Sequence, residues 1–380
     1  MHVSIVIPAY NAAKTIAETL ASIQCQSMSN WEAIVVNDGS SDETEAVVKK
    51  IAEQDSRIRL ISQRNQGVSA ARNTGISHAQ YEWLAFLDAD DWWSSQYLER
   101  MSAALAADSS LDAVHCGIKW IAPDGHILKE QYTPSETDLF PLLARRCCLL
   151  IHCCIFRKKL AEILGGFDTS LSTAEDWDLW QRIARNGARF GAVKEILAFY
   201  RIQPNSLSRN ANITFANALR VMTQGHNPDP RVPNPHPSHA AGEPREALAK
   251  LRLEKSAWHG GLLLANNKDA RSLLELVAGD RAPDLNPNQV AGRIFQSVRV
   301  AHCQQRDPWK RLWPNIAGKV EDFLLALESQ SEATGLARRV GIILEQKINQ
   351  NSDITQPSVV GTSIRPNQNC RVKIEKGERG

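Results

Sequence analysis

The sequence lacks several patterns that would each assign it to a well-defined class of protein. It contains no run of about 20 apolar residues, the length that a membrane-spanning helix needs. A Gly-x-Gly-x-x-Gly fingerprint after the first predicted strand and a Gly-x₄-Gly-Lys-Ser/Thr loop are both absent, which excludes a nicotinamide enzyme and a P-loop NTPase. Lys and Arg (44) nearly balance Asp and Glu (42), so bulk charge does not favour a nucleic-acid partner.

Cysteine is also scarce, with 8 residues in a chain of 380. The chain starts directly on a strand pattern instead of a signal peptide, so we expect a soluble cytoplasmic protein with free thiols. The pairs Cys147-Cys148 and Cys153-Cys154 lack the Cys-x₂₋₄-Cys spacing of zinc sites. Buried thiols are therefore expected there, with a zinc site as the alternative.

The amino-terminal half alternates short apolar runs with amphipathic stretches. Strands are predicted at Val3–Ile7, Ala33–Val36, Arg57–Ile61 and Trp83–Leu87, and helices at Ala13–Gln24, Glu43–Gln54 and Ser69–His78. The spacing Ser40-x-x-Glu43 predicts a capping box at the start of the second helix. This order predicts an α/β fold with a mostly parallel sheet and helices on both faces.

Three carboxylates, Asp88, Asp90 and Asp91, directly follow the strand at Trp83–Leu87. Ligands of open α/β sheets bind at the carboxyl ends of strands, and two carboxylates one residue apart can hold Mg²⁺ or Mn²⁺. Asp-x-Asp alone is weak evidence, because Asp91 or Ser94 could instead cap the next helix.

Other polar side chains are predicted at the same edge of the sheet. Tyr10 offers an aromatic face for a base, Asp38 offers a carboxylate for a base or ribose, and Arg72 offers a cation. Together with the Asp88-x-Asp90 pair, they form the set that a nucleoside diphosphate would use. Each has a purely structural alternative: Tyr10 could pack under the sheet, Asp38 could cap a helix, and Arg72 could pair with a helix acid.

Seven motifs in register resemble family 2 glycosyltransferases, which are inverting, nucleotide-sugar-dependent enzymes of the GT-A fold. They are Val-Ile-Pro-Ala-Tyr-Asn at 6–11, Val-Asn-Asp-Gly-Ser-Ser-Asp at 36–42, Asn-Gln-Gly-Val-Ser-Ala-Ala-Arg-Asn-Thr-Gly at 65–75, Phe-Leu-Asp-Ala-Asp-Asp at 86–91, Gly-Gly-Phe-Asp at 165–168, Glu-Asp-Trp-Asp-Leu-Trp at 175–180 and Tyr-Arg at 200–201. The resemblance covers residues 1 to about 210 and implies a GT-A catalytic domain there.

The resemblance also implies roles for individual residues. Nucleotide binding is implied for Pro8, Ala9, Tyr10, Asp38, Arg72 and Asp88. Asp38 would face the base, usually uracil, and Asp90 would be the direct ligand of Mn²⁺ or Mg²⁺, with Asp88 contacting the ribose or the water shell of the metal.

A second chemical element begins at Glu175-Asp176. The spacing Ser172-x-x-Glu175 indicates a capping box, which accounts for Glu175 and leaves Asp176 unassigned. In the resembled family the second acid is the general base, so Asp176 is expected to deprotonate an acceptor hydroxyl. Trp177 is expected to form a wall for the acceptor.

Arg201 and Ser206 are expected near the diphosphate. Many members of the resembled family carry a metal-ligating His after the Tyr-Arg pair, and the nearest position here is Gln203. An amide oxygen can also bind a hard cation, so it is open whether Gln203 replaces that His.

Past residue 210 the resemblance stops. We expect a connecting segment at 211–245 with a proline-rich linker or exposed loop, a helical module at 246–348, and a disordered tail at 349–380. The helices show no catalytic set, so they are expected to serve the acceptor or a partner, which could be a second copy of the chain. Trp309 and Trp313 beside Lys310 and Arg311 leave peripheral membrane contact as an alternative to core packing.

The sequence thus predicts a metal-dependent, inverting hexosyltransferase acting in polysaccharide biosynthesis, using a UDP-sugar and a hydroxyl acceptor on a glycan or lipid. A sugar-1-phosphate nucleotidyltransferase is the first alternative, disfavoured because no early glycine-rich loop carries Arg or Lys. A degenerate binding module is the second, opposed by the intact Asp88, Asp90 and Asp176.

Overall fold

The computed structural model describes residues 1–203, 210–303 and 307–351. The strands are β1 (Val3–Ala9), β2 (Trp31–Asp38), β3 (Ile58–Gln63), β4 (Trp83–Phe86), β5 (Trp92–Trp93), β6 (Ala113–Ile121), β7 (Ile127–Gln131), β8 (Cys154–Arg157) and β9 (Phe190–Arg201). The helices are α1 (Ile16–Gln24), α2 (Thr44–Ala52), α3 (Val68–His78), α4 (Tyr97–Ala107), α5 (Phe140–Leu143), α6 (Lys158–Ile163), α7 (Glu175–Arg185), α8 (Ala211–Gly225), α9 (Leu248–Ala265), α10 (Ser272–Glu275), α11 (Pro287–Ala301), α12 (Trp309–Ser331) and α13 (Leu336–Asn351).

The strands form a single mixed sheet in the order β3-β2-β1-β4-β8-β6-β9-β5, with β7 paired to β6. The first four strands are parallel, as the alternating pattern predicts, and Val3 pairs with both Trp31 and Trp83. β8 then runs antiparallel between β4 and β6. Because β1, β2 and β4 are parallel neighbours, their carboxyl ends lie side by side and bring the predicted polar residues to one edge.

The central strands β1, β2 and β4 are buried at every position, and mostly apolar, because both faces of the sheet are covered. Val6, Ile34 and Phe86 pack into one core, whereas Ile5 and Val35 pack into the core on the other face. Successive side chains of a strand point to opposite faces, so a continuous apolar run buries both.

The carboxy-terminal helices form a third core that is joined to the sheet domain through α8. Phe215 and Leu219 of α8 belong to the helical core, whereas Val221 and Met222 belong to the core beneath the sheet. Trp309 is fully buried and stacks on Phe295 with ring centroids 5.3 Å apart, so it packs in the core instead of facing a membrane surface.

Among residues 1–203, 210–303 and 307–351, no helix has both the length and the apolar character that crossing a membrane requires.

The proline-rich segment is irregular and most of its prolines are exposed, but hydrogen bonds and ion pairs anchor it to α7. Arg185 of α7 donates to the carbonyls of His239 (2.8 Å) and Gln224 (2.8 Å). Arg231 pairs with the buried Asp178 of α7 at 2.8 Å. The segment has no helix or strand between α8 and residue 245, but these ion pairs and hydrogen bonds hold it against the catalytic domain.

The prediction of a capping box at Ser40 and Glu43 is wrong. The Ser40 hydroxyl accepts from the backbone N–H of Asn11 at 3.0 Å, so it serves the loop after β1. The helix start is instead held by Asp42, whose carboxylate accepts from the backbone N–H of Thr44 at 3.0 Å.

The two cysteine pairs carry free thiols, and Cys148, Cys153 and Cys154 are buried. Burial raises the pKa of all three thiols, which keeps them protonated at neutral pH. They therefore act in packing, as free cysteines commonly do.

Candidate active site

A cavity of about 1430 Å³ lies at the carboxyl ends of β1, β2 and β4. Small-molecule sites usually occupy roughly 300 to 1,000 Å³, so this cavity has room for two substrates. Nine of the residues singled out from the sequence line it: Pro8, Ala9, Tyr10, Asp38, Arg72, Asp88, Asp90, Asp176 and Trp177.

Tyr10 and Asp38 both line this cavity and offer it different chemical groups. Tyr10 is 55% exposed, so its ring is not packed under the sheet. The buried Asp38 carboxylate accepts from Gln63 Nε2 (2.7 Å) and from the backbone N–H groups of Gln66 and Gly67. Asp38 therefore fastens the loop that leads into α3, and a carboxylate's remaining lone pair stays available to a ligand.

Arg72 connects two parts of the cavity. Its guanidinium is 2% exposed and donates to Asp88 at 2.7 Å and to Glu175 at 2.6 Å. Arg72 therefore ties the end of β4 to the first turn of α7. Glu175 is not part of a capping box, because Ala174 precedes the helix in a left-handed conformation and the carboxylate is committed to Arg72.

Asp176 follows Glu175 and is the titratable group whose properties best suit acid–base chemistry. Burial, with the neighbouring Glu175 charge, raises the pKa of Asp176 to about 7, and Arg72 limits the rise. Its Oδ1 accepts from the backbone N–H of Trp177 at 2.7 Å. A carboxylate that titrates near neutral pH can both accept and release a proton.

Asp90 lies beside Gln203 and lines the same cavity as Asp176. The Gln203 amide donates through Nε2 to Asp90 Oδ2 at 2.8 Å, so the side chain predicted as a possible replacement for a metal-ligating His does reach the carboxylate. Burial and the Asp88 charge raise the pKa of Asp90 to about 6. Two carboxylates that repel each other in this way are stabilised by a cation between them.

Behind them lies a fully buried contact between Asp91 and His152. The backbone N–H of Arg201 donates to Asp91 Oδ1 at 2.8 Å, which fixes the end of β9. Asp91 Oδ2 lies 3.2 Å from His152 Nδ1 without hydrogen-bond geometry. Asp88, Asp91 and His152 offer ligand atoms within 4.8 Å of one another.

These residues fit a divalent cation. Asp88 and Asp90 provide carboxylate oxygens, Gln203 provides an amide, and His152 has unpartnered ring nitrogens. Oxygen-rich sets of this kind suit Mg²⁺ and Mn²⁺.

Two predicted residues, Trp177 and Arg201, differ from expectation. Trp177 is 1% exposed and donates its indole N–H to the Leu143 carbonyl at 2.6 Å, so its ring is a core side chain that only borders the cavity. Arg201 donates to the Asp90 carbonyl (2.9 Å) and pairs with Glu18, and its side chain does not line the cavity. Ser206 lies outside the described residues.

Several lining residues escaped the sequence analysis. Glu175 was assigned to a cap, and no local pattern pointed to His152 of the short 3₁₀ segment Ile151–Cys153 or to Lys255 and Arg293 of the distant helices α9 and α11. No signal in the sequence marked Lys255 and Arg293, because their helices carry other charged residues such as Arg252 and Arg299.

Comparisons with known proteins agree with this geometry. The model for "Glycosyl transferase family 2" matches residues 4–164. TuaG of Bacillus subtilis, a putative teichuronic acid biosynthesis glycosyltransferase, is 30% identical over 210 residues, which cover 55% of this chain and 82% of TuaG. EpsJ of the same organism, an uncharacterized glycosyltransferase, is 32% identical over 220 residues, covering 54% of this chain but only 62% of EpsJ.

The solved structures extend the likeness to the carboxy-terminal helices. Residues 1–349 of TarS of S. aureus, crystallised with UDP-GlcNAc, superpose with a TM-score of 0.53 over 92% of each chain at 16% identity. The fold is therefore GT-A with a helical carboxy-terminal part, as predicted.

Proposed function

The chain belongs to glycosyl transferase family 2, and from that premise we propose that it is a metal-dependent, inverting glycosyltransferase that moves a sugar from a UDP-sugar to a hydroxyl acceptor. One observation carries the proposal. Asp176 lines the same cavity as the Asp88 and Asp90 pair, and Arg72 ties Asp88 to Glu175, the residue that precedes Asp176.

In the proposed reaction Asp176 accepts the proton of the acceptor hydroxyl as that oxygen attacks the anomeric carbon. The bond from the anomeric carbon to the diphosphate oxygen breaks with its electron pair, and the nucleoside diphosphate leaves from the opposite face. One displacement inverts the anomeric centre. Asp88 and Asp90, with Gln203 beside them, would hold a divalent cation, which would neutralise charge on the departing diphosphate.

The nucleoside is placed by the exposed Tyr10 ring and by Asp38, whose carboxylate keeps acceptor capacity. UDP as the nucleotide is supported by the TarS complex with UDP-GlcNAc, and a role in polysaccharide synthesis by the description of TuaG. The 1430 Å³ cavity supports simultaneous binding of donor and acceptor.

The test is a panel of UDP- and GDP-sugars incubated with the protein and Mn²⁺ or Mg²⁺, with products analysed for nucleoside diphosphate. Release of UDP that requires the cation is the expected result. Release of pyrophosphate from a nucleoside triphosphate and a sugar phosphate would identify a nucleotidyltransferase instead. Turnover that persists with the cations chelated would contradict the metal requirement.

A further inference from the structure

The cavity has two sides of opposite charge. The side formed by the sheet edge and α7 carries five carboxylates and one buried cation, and we call it the donor side: Asp38, Asp88, Asp90, Glu175 and Asp176, with Arg72. Another part of the lining comes from β7, residues 132–146, α9 and α11, and we call it the basic side: Lys129, Arg146, Lys255 and Arg293. Among the described residues of those elements that line the cavity, Glu136 is the only carboxylate.

Lys255 lies closest to the general base on the basic side. Its Nζ lies 5.3 Å from the centroid of the Trp177 ring, and no carboxylate of the described chain pairs with it. Burial, with the adjacent Arg293, lowers the pKa of Lys255. Arg293 itself is held by Glu254 at 2.9 Å, so its counter-ion is already present.

Lys129 and Arg146 are two further lining cations that have no carboxylate partner among the described residues. Lys129 Nζ lies 5.2 Å from the Trp120 ring centroid and donates to the neutral Gln131 amide at 3.1 Å. Burial, with Arg146, lowers the pKa of Lys129. Arg146 is exposed and has no ion pair within the described part of the chain.

Three cations without carboxylate partners therefore face one cavity. Lys129 and Arg146 are exposed, whereas Lys255 is partly buried. Neighbouring cations repel one another, and an anion bound between them relieves that repulsion. Two cations close to these residues in sequence but outside the cavity lining do have carboxylate partners: Lys119 with Glu130 at 3.0 Å, and Lys250 of α9 with Asp284.

Building on the proposed function, we propose that the acceptor is anionic, carrying phosphate or carboxylate groups, and that Lys129, Arg146 and Lys255 bind those groups. The diphosphate of the donor is not the anion that these three cations would bind, because it would pair with the cation held by Asp88 and Asp90 on the donor side. An acceptor bound along the basic side would present its hydroxyl to Asp176 while its charged groups pair with these side chains.

The test is calorimetric titration of the protein already saturated with UDP and Mn²⁺. Three oligomers of matched length serve as probes: an oligo(glycerol phosphate), an oligogalacturonate and a neutral maltooligosaccharide. One of the two anionic oligomers should bind about tenfold more tightly than the neutral one, as expected for hydrogen bonds to charged groups, and added salt should weaken it. Which anionic oligomer binds distinguishes a phosphate-bearing from a carboxylate-bearing acceptor.

Variants connect the preference to the basic side. Lys255→Gln and Lys129→Gln should each lower the affinity for the anionic oligomer by roughly tenfold, because each removes one charged hydrogen bond. The matched controls are Lys250→Gln, on the same helix as Lys255, and Lys119→Gln, beside Lys129 on the β6–β7 hairpin. Both controls should leave the affinity for the oligomer unchanged.

The inference is overturned if the neutral oligomer binds as well as both anionic ones, or if neither anionic one binds. It is also overturned if Lys255→Gln and Lys129→Gln lower the affinity for UDP as much as the affinity for the oligomer, because the two lysines would then bind the donor. UDP binding is measured first: a protein that binds no UDP contradicts the proposed function, whereas one that binds UDP but no anionic oligomer overturns this inference alone.

Discussion

At the scale of single residues, Asp176 is the sharpest test of the proposed chemistry. Asp176→Asn keeps the shape of the side chain but cannot accept a proton, so turnover should fall by roughly 10²- to 10⁴-fold. UDP affinity should stay near that of the parent, because the amide still fills the same position. Equal losses of UDP affinity and turnover would show that Asp176 serves structure instead.

The pH dependence of transfer follows from the same side chain. The base acts in its ionised form, so turnover should rise as pH increases through about 7, the value to which burial and Glu175 raise the pKa of Asp176. Glu175→Gln removes the like charge and should move the midpoint to lower pH. A profile that is unchanged in Glu175→Gln would exclude Asp176 as the titrating group.

Stability should respond in the opposite direction. Because the folded-state pKa of Asp176 lies above its ordinary value of 3.8, the protonated carboxyl favours the folded state, and this contribution is lost as pH rises through about 7. The stability of Asp176→Asn relative to the parent should therefore increase as pH rises from about 4 to about 7, the interval between the two pKa values. Thermal melts across that range provide the measurement.

Asp90 tests the cation. Asp90→Ala should abolish cation-dependent UDP binding and transfer together, since a diphosphate would then meet the remaining carboxylates without a counter-charge. Asp108→Asn, an exposed turn residue bonded to Ser110, is the control and should change neither. Near-normal turnover of Asp90→Ala in the presence of a chelator would contradict the metal assignment.

At the scale of secondary structure, the contact between α3 and β1 positions Arg72. A Cβ added at Gly75 would lie 2.2 Å from Val6 Cγ1, so Gly75→Ala should push α3 off the sheet and cost about 1 to 3 kcal/mol. Gly292→Ala in α11 meets nothing within 4 Å and should instead add stability of about 1 kcal/mol. Denaturant unfolding of both variants provides the comparison, and destabilisation by Gly292→Ala as well would indicate a general intolerance of the helices.

The elements that could be predicted from the sequence are those specified by local patterns. β1 to β4 and α1 to α3 lie within a few residues of their predicted bounds. Their signals, the spacing of apolar residues and the turn residues between elements, lie within short stretches of sequence. The pairing of β5 with β9, the antiparallel β8 and the packing of the proline-rich segment depend on contacts between residues far apart in sequence. For the same reason the sequence allowed a helix acid as the partner of Arg72 but did not identify Glu175, which lies 103 positions away.

At the scale of the whole molecule, α8 joins the helical core to the sheet domain. Phe215 is fully buried in the helical core, while Val221 and Met222 of the same helix are buried beneath the sheet. A chain ending at Asn227 would expose Phe215 and lose Arg231, the partner of the buried Asp178, so it should be markedly less stable. The carboxy-terminal helices therefore support the catalytic domain as well as lining its cavity.

Because one helix lies in both cores, the protein should unfold in a single cooperative transition that UDP and Mn²⁺ shift as a whole. Phe215→Ala weakens the contact of α8 with the helical core and should cost about 3 to 5 kcal/mol. It should also split the transition, with only the sheet-domain part still stabilised by UDP. Ile213→Ala on the same helix, where the side chain is 46% exposed, is the matched control and should leave one transition. Two transitions in the parent protein, with only one responding to UDP, would show that the helices fold independently of the donor site.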